Sequence, residues 1–215
     1  AFAASSQRRF ETARKGGFFD GEVIPIEISG RKGAVTTVAE DEHPRPDTTV
    51  EKMASLRPLD PAGVVTAANA SGINDGAAAL LIGRNGLGPV PRGRILAGAV
   101  SGVAPRVMGI GPALAIPKAL SRAGLSLEQM DVIEINEAFA SQVLACCKAL
   151  DLSPDDSRLN PNGGAIAVGH PLGASGARLM LTGLRQLEAS GGRYGCLSMC
   201  IGFGQGIAVI IERLK

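Results

Sequence analysis

From residue 94 to the C-terminus, strand-like and helix-like stretches alternate, and this alternation constrains the fold more than any other feature of the chain. Residues 94–103 read as a strand and 111–123 as a helix, with Pro112 in the first turn, where proline is tolerated. Residues 132–135 read as a strand, 138–150 as an apolar helix and 164–168 as a short strand. A helix is expected over 173–188, stopped by Ser190-Gly191-Gly192, and two closing strands over 194–199 and 207–212. Strands alternating with helices predict a layered α/β fold, and a short glycine turn between the last two strands makes them antiparallel. Composition agrees: 45% of residues are hydrophobic but only 3% are aromatic, with no Trp, so the core must be aliphatic side chains packed against glycine. Such a chain lacks the stacking platforms of a nucleic-acid binder, and a net charge of +2 supplies no field to draw in DNA or an anionic membrane. No apolar run reaches the ~18 residues of a membrane span, and no signal-peptide pattern is visible.

The first 93 residues are less regular. A helix over 2–15 is stopped by Gly16-Gly17, and residues 22–28 alternate as a strand does. Residues 29–63 are polar and turn-rich, which suggests an ordered surface excursion rather than core. A short strand is expected over 64–67, then a loop through Asn69-Ala70-Ser71-Gly72-Ile73-Asn74-Asp75-Gly76, a buried strand over 77–82 and a linker over 83–93. No capping residue precedes the first helix, which suggests a chain that begins partway through a larger protein.

Chemistry concentrates between Asn160 and Gly206. His170 stands in Gly-His-Pro-Leu-Gly-Ala-Ser-Gly just before a helix N-terminus, whose free N–H groups supply partial positive charge. Cys200 stands at a strand end before glycines 202, 204 and 206. A histidine and a cysteine in such turns are the parts for proton transfer and thiolate chemistry, although each also fits a buried structural residue. Asn136 lies at the C-terminal end of a strand, where ligands of α/β sheets bind, and equally suits a helix cap. Cys146, Cys147 and Cys196 fit core positions, and Cys196-x-x-x-Cys200 lacks a second ligand pair, so no metal is expected. Four cysteines in apolar surroundings, with no disulfide framework, point to a reducing compartment, the cytoplasm or an organelle matrix.

Asn136-Glu137-Ala138-Phe139-Ala140, Gly169-His170-Pro171-Leu172-Gly173-Ala174-Ser175-Gly176 and Cys200-x-Gly202 resemble three of the four active-site motifs of the thiolases, the acetyl-CoA acetyltransferases and 3-ketoacyl-CoA thiolases. Asn69-Ala70-Ser71-Gly72 and Val107-Met108-Gly109-Ile110-Gly111-Pro112 also match, so the resemblance covers essentially the whole chain. It implies that His170 activates a nucleophilic cysteine and helps form a first oxyanion hole in which Asn136 holds a water. It implies that Cys200 is the acid/base on the second substrate and that the Gly202 N–H serves a second oxyanion hole. Ser71 and Ala67 would line the coenzyme A channel, Arg45 would meet the nucleotide, and Met108 and Phe139 would wall the acyl pocket. Coenzyme A and acyl-CoA would be substrates, with no permanently bound cofactor.

The resemblance further implies a thiolase-like layered fold: the C-terminal half of a repeated α-β-α-β-α arrangement, plus the end of the loop excursion. Its divisions would fall at 1–72 (excursion and coenzyme A segment), 73–93 (last strand of the N-terminal half and linker) and 94–215 (C-terminal domain). The motif carrying the nucleophilic cysteine has no match among the four cysteines. The partner is therefore expected to be an N-terminal half bearing that cysteine, within a dimer or tetramer, and the chain alone is expected to be inactive. A non-catalytic acyl-CoA-binding or scaffold module is the alternative, and a Cys/His hydrolase a weaker one. Phe203 stands where the family usually has glycine, so the catalytic turn is expected to be present but perturbed.

Overall fold

The computed structural model describes residues 1–84 and 86–214. Its elements run α1 (Phe2–Lys15), β1 (Ile26–Ser29), β2 (Val35–Val38), α2 (Val50–Ala54), β3 (Gly93–Gly102), α3 (Gly111–Ala123), β4 (Val132–Ile135), α4 (Ala140–Ala149), α5 (Ala165–Val168), α6 (Ser175–Ser190), β5 (Tyr194–Ile201) and β6 (Gln205–Arg213). Strands β3, β6, β5 and β4 form one sheet in that order. β6 is antiparallel to both β3 and β5, whereas β4 and β5 are parallel, so the closing pair is antiparallel as the sequence predicts.

Helices cover both faces of this sheet, giving three layers. Ile116 and Ala119 of α3 and Val143 and Cys146 of α4 pack on Ile133, Ile135, Cys196, Ala208 and Ile210. On the other face Met180, Leu184 and Leu187 of α6 meet Val132, Leu197 and Ile211. The period of two along a strand explains the division. Ile133 and Ile135 of β4 point to one layer, while Val132 and Glu134 point to α6, where Glu134 meets Arg178. Where β6 begins, Gly206 lies directly on Gly111, and a Cβ on either would strike the other's backbone. The outer edge of β4 is closed by the backbone of 158–160, which bridges Ile133, and by the Asn160 side chain. Asn160 accepts from the Ile135 N–H at 2.9 Å and donates to the Ile135 carbonyl at 2.9 Å, as a neighbouring strand would. It does so at φ +42°, a conformation asparagine tolerates.

Several local expectations fail for identifiable reasons. Residues 164–168 hold the helical turn α5 instead of a strand, because 158–160 already occupy the edge of β4 and Ile166 packs on Ala3 of α1. Residues 64–66 are irregular and lead into a turn over 67–69, with the Thr66 N–H donating to Asn69 Oδ1 at 2.8 Å. Residues 77–82 are neither strand nor buried: Leu81 is 86% and Ile82 70% exposed, and no strand lies beside them among the described residues. The surface excursion over 29–63 is ordered, in line with its reading. It contains half of the antiparallel pair β1–β2 and helix α2, whose cap Thr49 accepts from the Lys52 N–H at 3.3 Å. Pro25 delays the first strand to Ile26, since proline has no N–H to give a ladder. The linker read over 83–93 includes Asn85, which lies outside the described residues. Among those residues no helix is long and apolar enough to cross a membrane.

Candidate active site

Asn136 leaves the C-terminal end of β4, held by its N–H to the Ser198 carbonyl at 2.9 Å. This delivers its carboxamide, 1% exposed, to His170: Asn136 Nδ2 lies 3.3 Å from His170 Nε2. The loop over 72–74 grips the histidine from behind. The His170 N–H meets the Gly72 carbonyl at 3.0 Å and Asn74 Oδ1 at 3.3 Å. Gly169 is required here, because it sits at φ +90° and a Cβ would strike Asn74. Pro171 then turns the chain into α6, its carbonyl accepting from the N–H groups of Ala174 and Ser175 at 2.8 and 2.9 Å. His170 Nδ1 lies 2.6 Å from Ser175 Oγ, and Asn136 Oδ1 accepts from Arg178 Nη2 at 3.3 Å. Burial, and secondarily the Arg178 charge, hold the His170 imidazolium below its ordinary range, so the ring rests neutral and able to take a proton.

Sequence reasoning missed Ser175 and Arg178. Their signal was spacing: once α6 starts at Ser175, residues 175 and 178 share its inner face, three positions apart. It also left Glu134 and Glu137 without roles. Glu134 is fully buried, with no hydrogen bond to either oxygen among the described residues and Arg178 Nη1 4.0 Å away. Burial pushes its carboxyl up to about 8, against the pull of Arg178. Glu137 is a structural tie. It accepts from Ser6 Oγ at 2.6 Å, Asn160 Nδ2 at 2.9 Å and the Ile166 N–H at 3.2 Å, joining α1, the β4 edge and α5. Burial still raises its carboxyl, since desolvation outweighs those bonds.

Cys200 lies one residue inside the end of β5, opposite Gly206, and is 5% exposed. Burial, with Cys146 adding, pushes its thiol up to about 11, so it rests protonated. Cys146, Cys147 and Cys196 are wholly buried core residues, the last pushed up to about 12. No hydrogen bond joins His170 to Cys200 among the described residues, because the ring nitrogens face Asn136 and Ser175. The turn after Cys200 leaves Gly202 exposed, with nothing within 4 Å of where a Cβ would stand. Phe203 adopts φ +64° and is 92% exposed. It takes the left-handed conformation glycine would take, and its ring points to solvent instead of into the site.

The expected substrate-lining residues divide. Residues 69–71 lie along 138–140: Ala70 bridges Phe139, and the Ser71 N–H and Oγ both donate to the Ala138 carbonyl, at 3.0 and 3.3 Å. Ser71 and Phe139 thus meet at one wall. Met108, half-buried, sits in the 3₁₀ turn Pro105–Ile110, whose Gly109 carbonyl accepts from Cys146 Sγ of α4 at 3.3 Å. Ala67 is exposed. Arg45 is exposed too, its Nη1 folded onto the carbonyls of Glu42, His43 and Pro44 at 2.8, 2.9 and 2.9 Å. An open groove of about 380 Å³ runs between 74–78 and 171–174, beside His170. Among the described residues no group of three His, Cys, Asp or Glu side chains is placed to hold a metal.

The family model described as thiolase, C-terminal domain, matches residues 90–213, and that described as thiolase, N-terminal domain, matches residues 1–86. The chain therefore carries sequence of both domains and is not the C-terminal part alone. The chain is 56% identical over 221 residues to a beta-ketoadipyl-CoA thiolase of Pseudomonas aeruginosa, a match covering 100% of this chain and 54% of the relative. It is 51% identical over 219 residues to the 3-oxoadipyl-CoA/3-oxo-5,6-dehydrosuberyl-CoA thiolase of Escherichia coli, covering 100% and 55%. The fold matches the crystal structure of the Bacillus anthracis acetyl-CoA acetyltransferase with a TM-score of 0.94 at 43% identity, over 99% of this chain and 54% of that one. Human mitochondrial 3-ketoacyl-CoA thiolase in complex with CoA matches with a TM-score of 0.84 at 42% identity, covering 99% and 53%. The chain spans about half the length of the curated relatives it matches.

Proposed function

The chain belongs to the thiolase family, and from that premise we propose that it supplies the enolate-handling part of a thiolase active site. The whole enzyme would cleave or form the C2–C3 bond of a 3-oxoacyl-CoA. The observation that carries the reading is the juxtaposition of a neutral His170 with Asn136 at the end of β4, on the same sheet as the buried Cys200 thiol.

In the cleavage direction, His170 Nε2 takes the proton of a cysteine thiol outside these 215 residues. The resulting thiolate adds to the C3 carbonyl, whose developing oxyanion is met by the Gly202 N–H. The C2–C3 bond breaks, leaving an acyl-thioester on that cysteine and the enolate of acetyl-CoA. The enolate oxygen sits between His170 Nε2–H and a water on Asn136, and C2 takes the Cys200 proton. Cys200, now a thiolate, removes the thiol proton of a second coenzyme A, whose sulfur attacks the acyl-enzyme; the shortened acyl-CoA leaves, and the displaced cysteine thiolate takes back the proton held on His170 Nε2. A resting thiol at about 11 suits this order, because Cys200 must first act as an acid.

The cysteine that carries the acyl group is placed in an N-terminal segment of the assembly. Three of the chain's own cysteines are sealed in the core, and Cys200 forms no hydrogen bond with His170. Ser71 and Phe139 serve as channel and acyl-pocket walls, supported by their meeting at 138–140, and Met108 is assigned to the acyl pocket on the motif match alone. Ala67 and Arg45 are assigned to the outer channel and nucleotide end on the motif match alone. The assembly is a dimer or tetramer in a reducing compartment, which the four free cysteines suit. The names of the first relatives favour 3-oxoadipyl-CoA as substrate.

Thiolysis of 3-oxoadipyl-CoA and acetoacetyl-CoA, combined with intact mass spectrometry, tests this. The reading predicts negligible turnover by a preparation holding only the 22.0 kDa species. It predicts turnover when a chain with a reactive cysteine is present, and loss of that turnover in Cys200→Ala. Full turnover by the 22.0 kDa species alone would sink it.

A further inference from the structure

His170 belongs to a hydrogen-bond chain whose direction is set from one end. Arg178 can only donate, so its Nη2, 3.3 Å from Asn136 Oδ1, gives a hydrogen to that oxygen. The carboxamide is thereby held with Nδ2 toward the imidazole, 3.3 Å from Nε2. An amide nitrogen also only donates, so Nε2 must accept and therefore carries no proton. In a neutral ring the proton then resides on Nδ1, 2.6 Å from Ser175 Oγ. Ser175 can accept it because its own hydrogen goes to the Pro171 carbonyl at 3.0 Å. Each link fixes the next, and reversing any one would set two donors or two acceptors face to face.

We propose that Arg178 and Ser175 are positioning residues that lock His170 in the Nδ1-protonated tautomer, presenting a bare Nε2 as the proton acceptor. The inference deepens the reading of His170 as a base and rests on that reading for its functional meaning; its geometry stands independently. Arg178 is suited to the task because it is anchored. Its side chain is only 20% exposed, Glu134 faces it at 4.0 Å, and the Glu22 and Asp41 carboxyls also feel its charge. Without that anchor the Asn136 carboxamide is free to turn its oxygen to Nε2, which selects the opposite tautomer. The histidine side chain in water favours the Nε2-protonated form, so the resting state of His170 is imposed by its neighbours.

Side-chain ¹⁵N spectroscopy of the full chain with labelled histidine reads this directly, and the two histidines are told apart with His43→Gln. At pH 8 the wild-type protein is expected to show His170 with a protonated Nδ1 and a bare Nε2. Arg178→Met combined with Glu134→Gln removes the donor without stranding a buried carboxylate, and is expected to populate the Nε2-protonated form. Asn136→Asp is isosteric and replaces the donor by an acceptor, so Nε2 should gain a proton there even if the double variant fails to fold. An Nε2 proton in the wild type would overturn the proposal, as would a bare Nε2 in either variant. Because the measurement needs no turnover, failure of the thiolase reading would leave it standing, and the reverse also holds.

Discussion

Glu134→Gln should flatten the pH dependence of stability. The carboxyl is 0% exposed, neither oxygen has a hydrogen-bond partner among the described residues, and burial raises it from 4.5 to about 8. A group whose folded value is raised contributes stability that is fully present below the unfolded value. That contribution is lost as pH rises toward the folded value. Between pH 4.5 and about 8 the unfolded chain gives up this proton and the folded chain keeps it, so stability falls by about 1.4 kcal/mol per pH unit. Over the whole window that is on the order of 5 kcal/mol, a third or more of the ~5–15 kcal/mol that holds a domain together. Glutamine has nearly the same shape but no proton to lose. At pH 5 the variant should match wild type, or fall below it by about 1 kcal/mol for the buried amide. At pH 8 it should be the more stable protein by several kcal/mol. Urea unfolding followed by circular dichroism at pH 5, 6, 7 and 8 measures the difference, and other raised carboxyls cancel in it. A difference that stays constant across this range would refute the reasoning.

Phe203→Gly should stabilise the chain by about 0.5–1 kcal/mol. It relieves a left-handed residue while removing a ring that is 92% exposed, and glycine's greater chain entropy offsets part of the gain; a lower urea midpoint would contradict this. Gly206→Ala should cost about 3 kcal/mol, because its Cβ would enter the Gly111 backbone. Gly98→Ala in the neighbouring strand should change stability by less than about 1 kcal/mol, since its Cβ meets only the Ala208 carbonyl at 3.8 Å. Equal losses at the two sites would show that strand propensity, not the close approach, decides. Ser6→Ala should cost about 2 kcal/mol by removing the 2.6 Å hydrogen bond to buried Glu137 and the acceptor for the Gly164 N–H; unchanged thermal unfolding would count against Glu137 as a structural tie.

The layered architecture was legible because residue 94 onward alternates between periods of two and 3.6 in its longer elements. The site was legible at His170, Asn136 and Cys200 because glycine, proline and strand ends mark them locally. Arg178 and Ser175 were not, since one looks like an ordinary helix charge and the other like a first-turn serine until the helix start is known. Two of the three wrong strands share one cause. Residues 77–82 and 164–168 are short apolar runs, and a strand exists only where a neighbour offers its hydrogen bonds. One run has no such neighbour among the described residues, and the other finds its place taken by 158–160. Phe203 was flagged by sequence as a bulky residue in a glycine turn, but only the backbone shows that it accepts the strained φ and turns outward.

Exchange of the acetyl-CoA α-protons in D₂O tests most directly the claim that this chain handles the enolate. The step requires Cys200 as base and, at the enolate oxygen, the water on Asn136 and a His170 ring whose Nε2 has taken the proton of the nucleophilic cysteine, but no acyl-enzyme. With a thiol at about 11, the thiolate fraction and hence the exchange rate should rise about tenfold per pH unit between pH 7 and 9. Exchange should vanish in Cys200→Ala. A rate that is independent of pH in this range, or that persists unchanged without Cys200, would contradict the account.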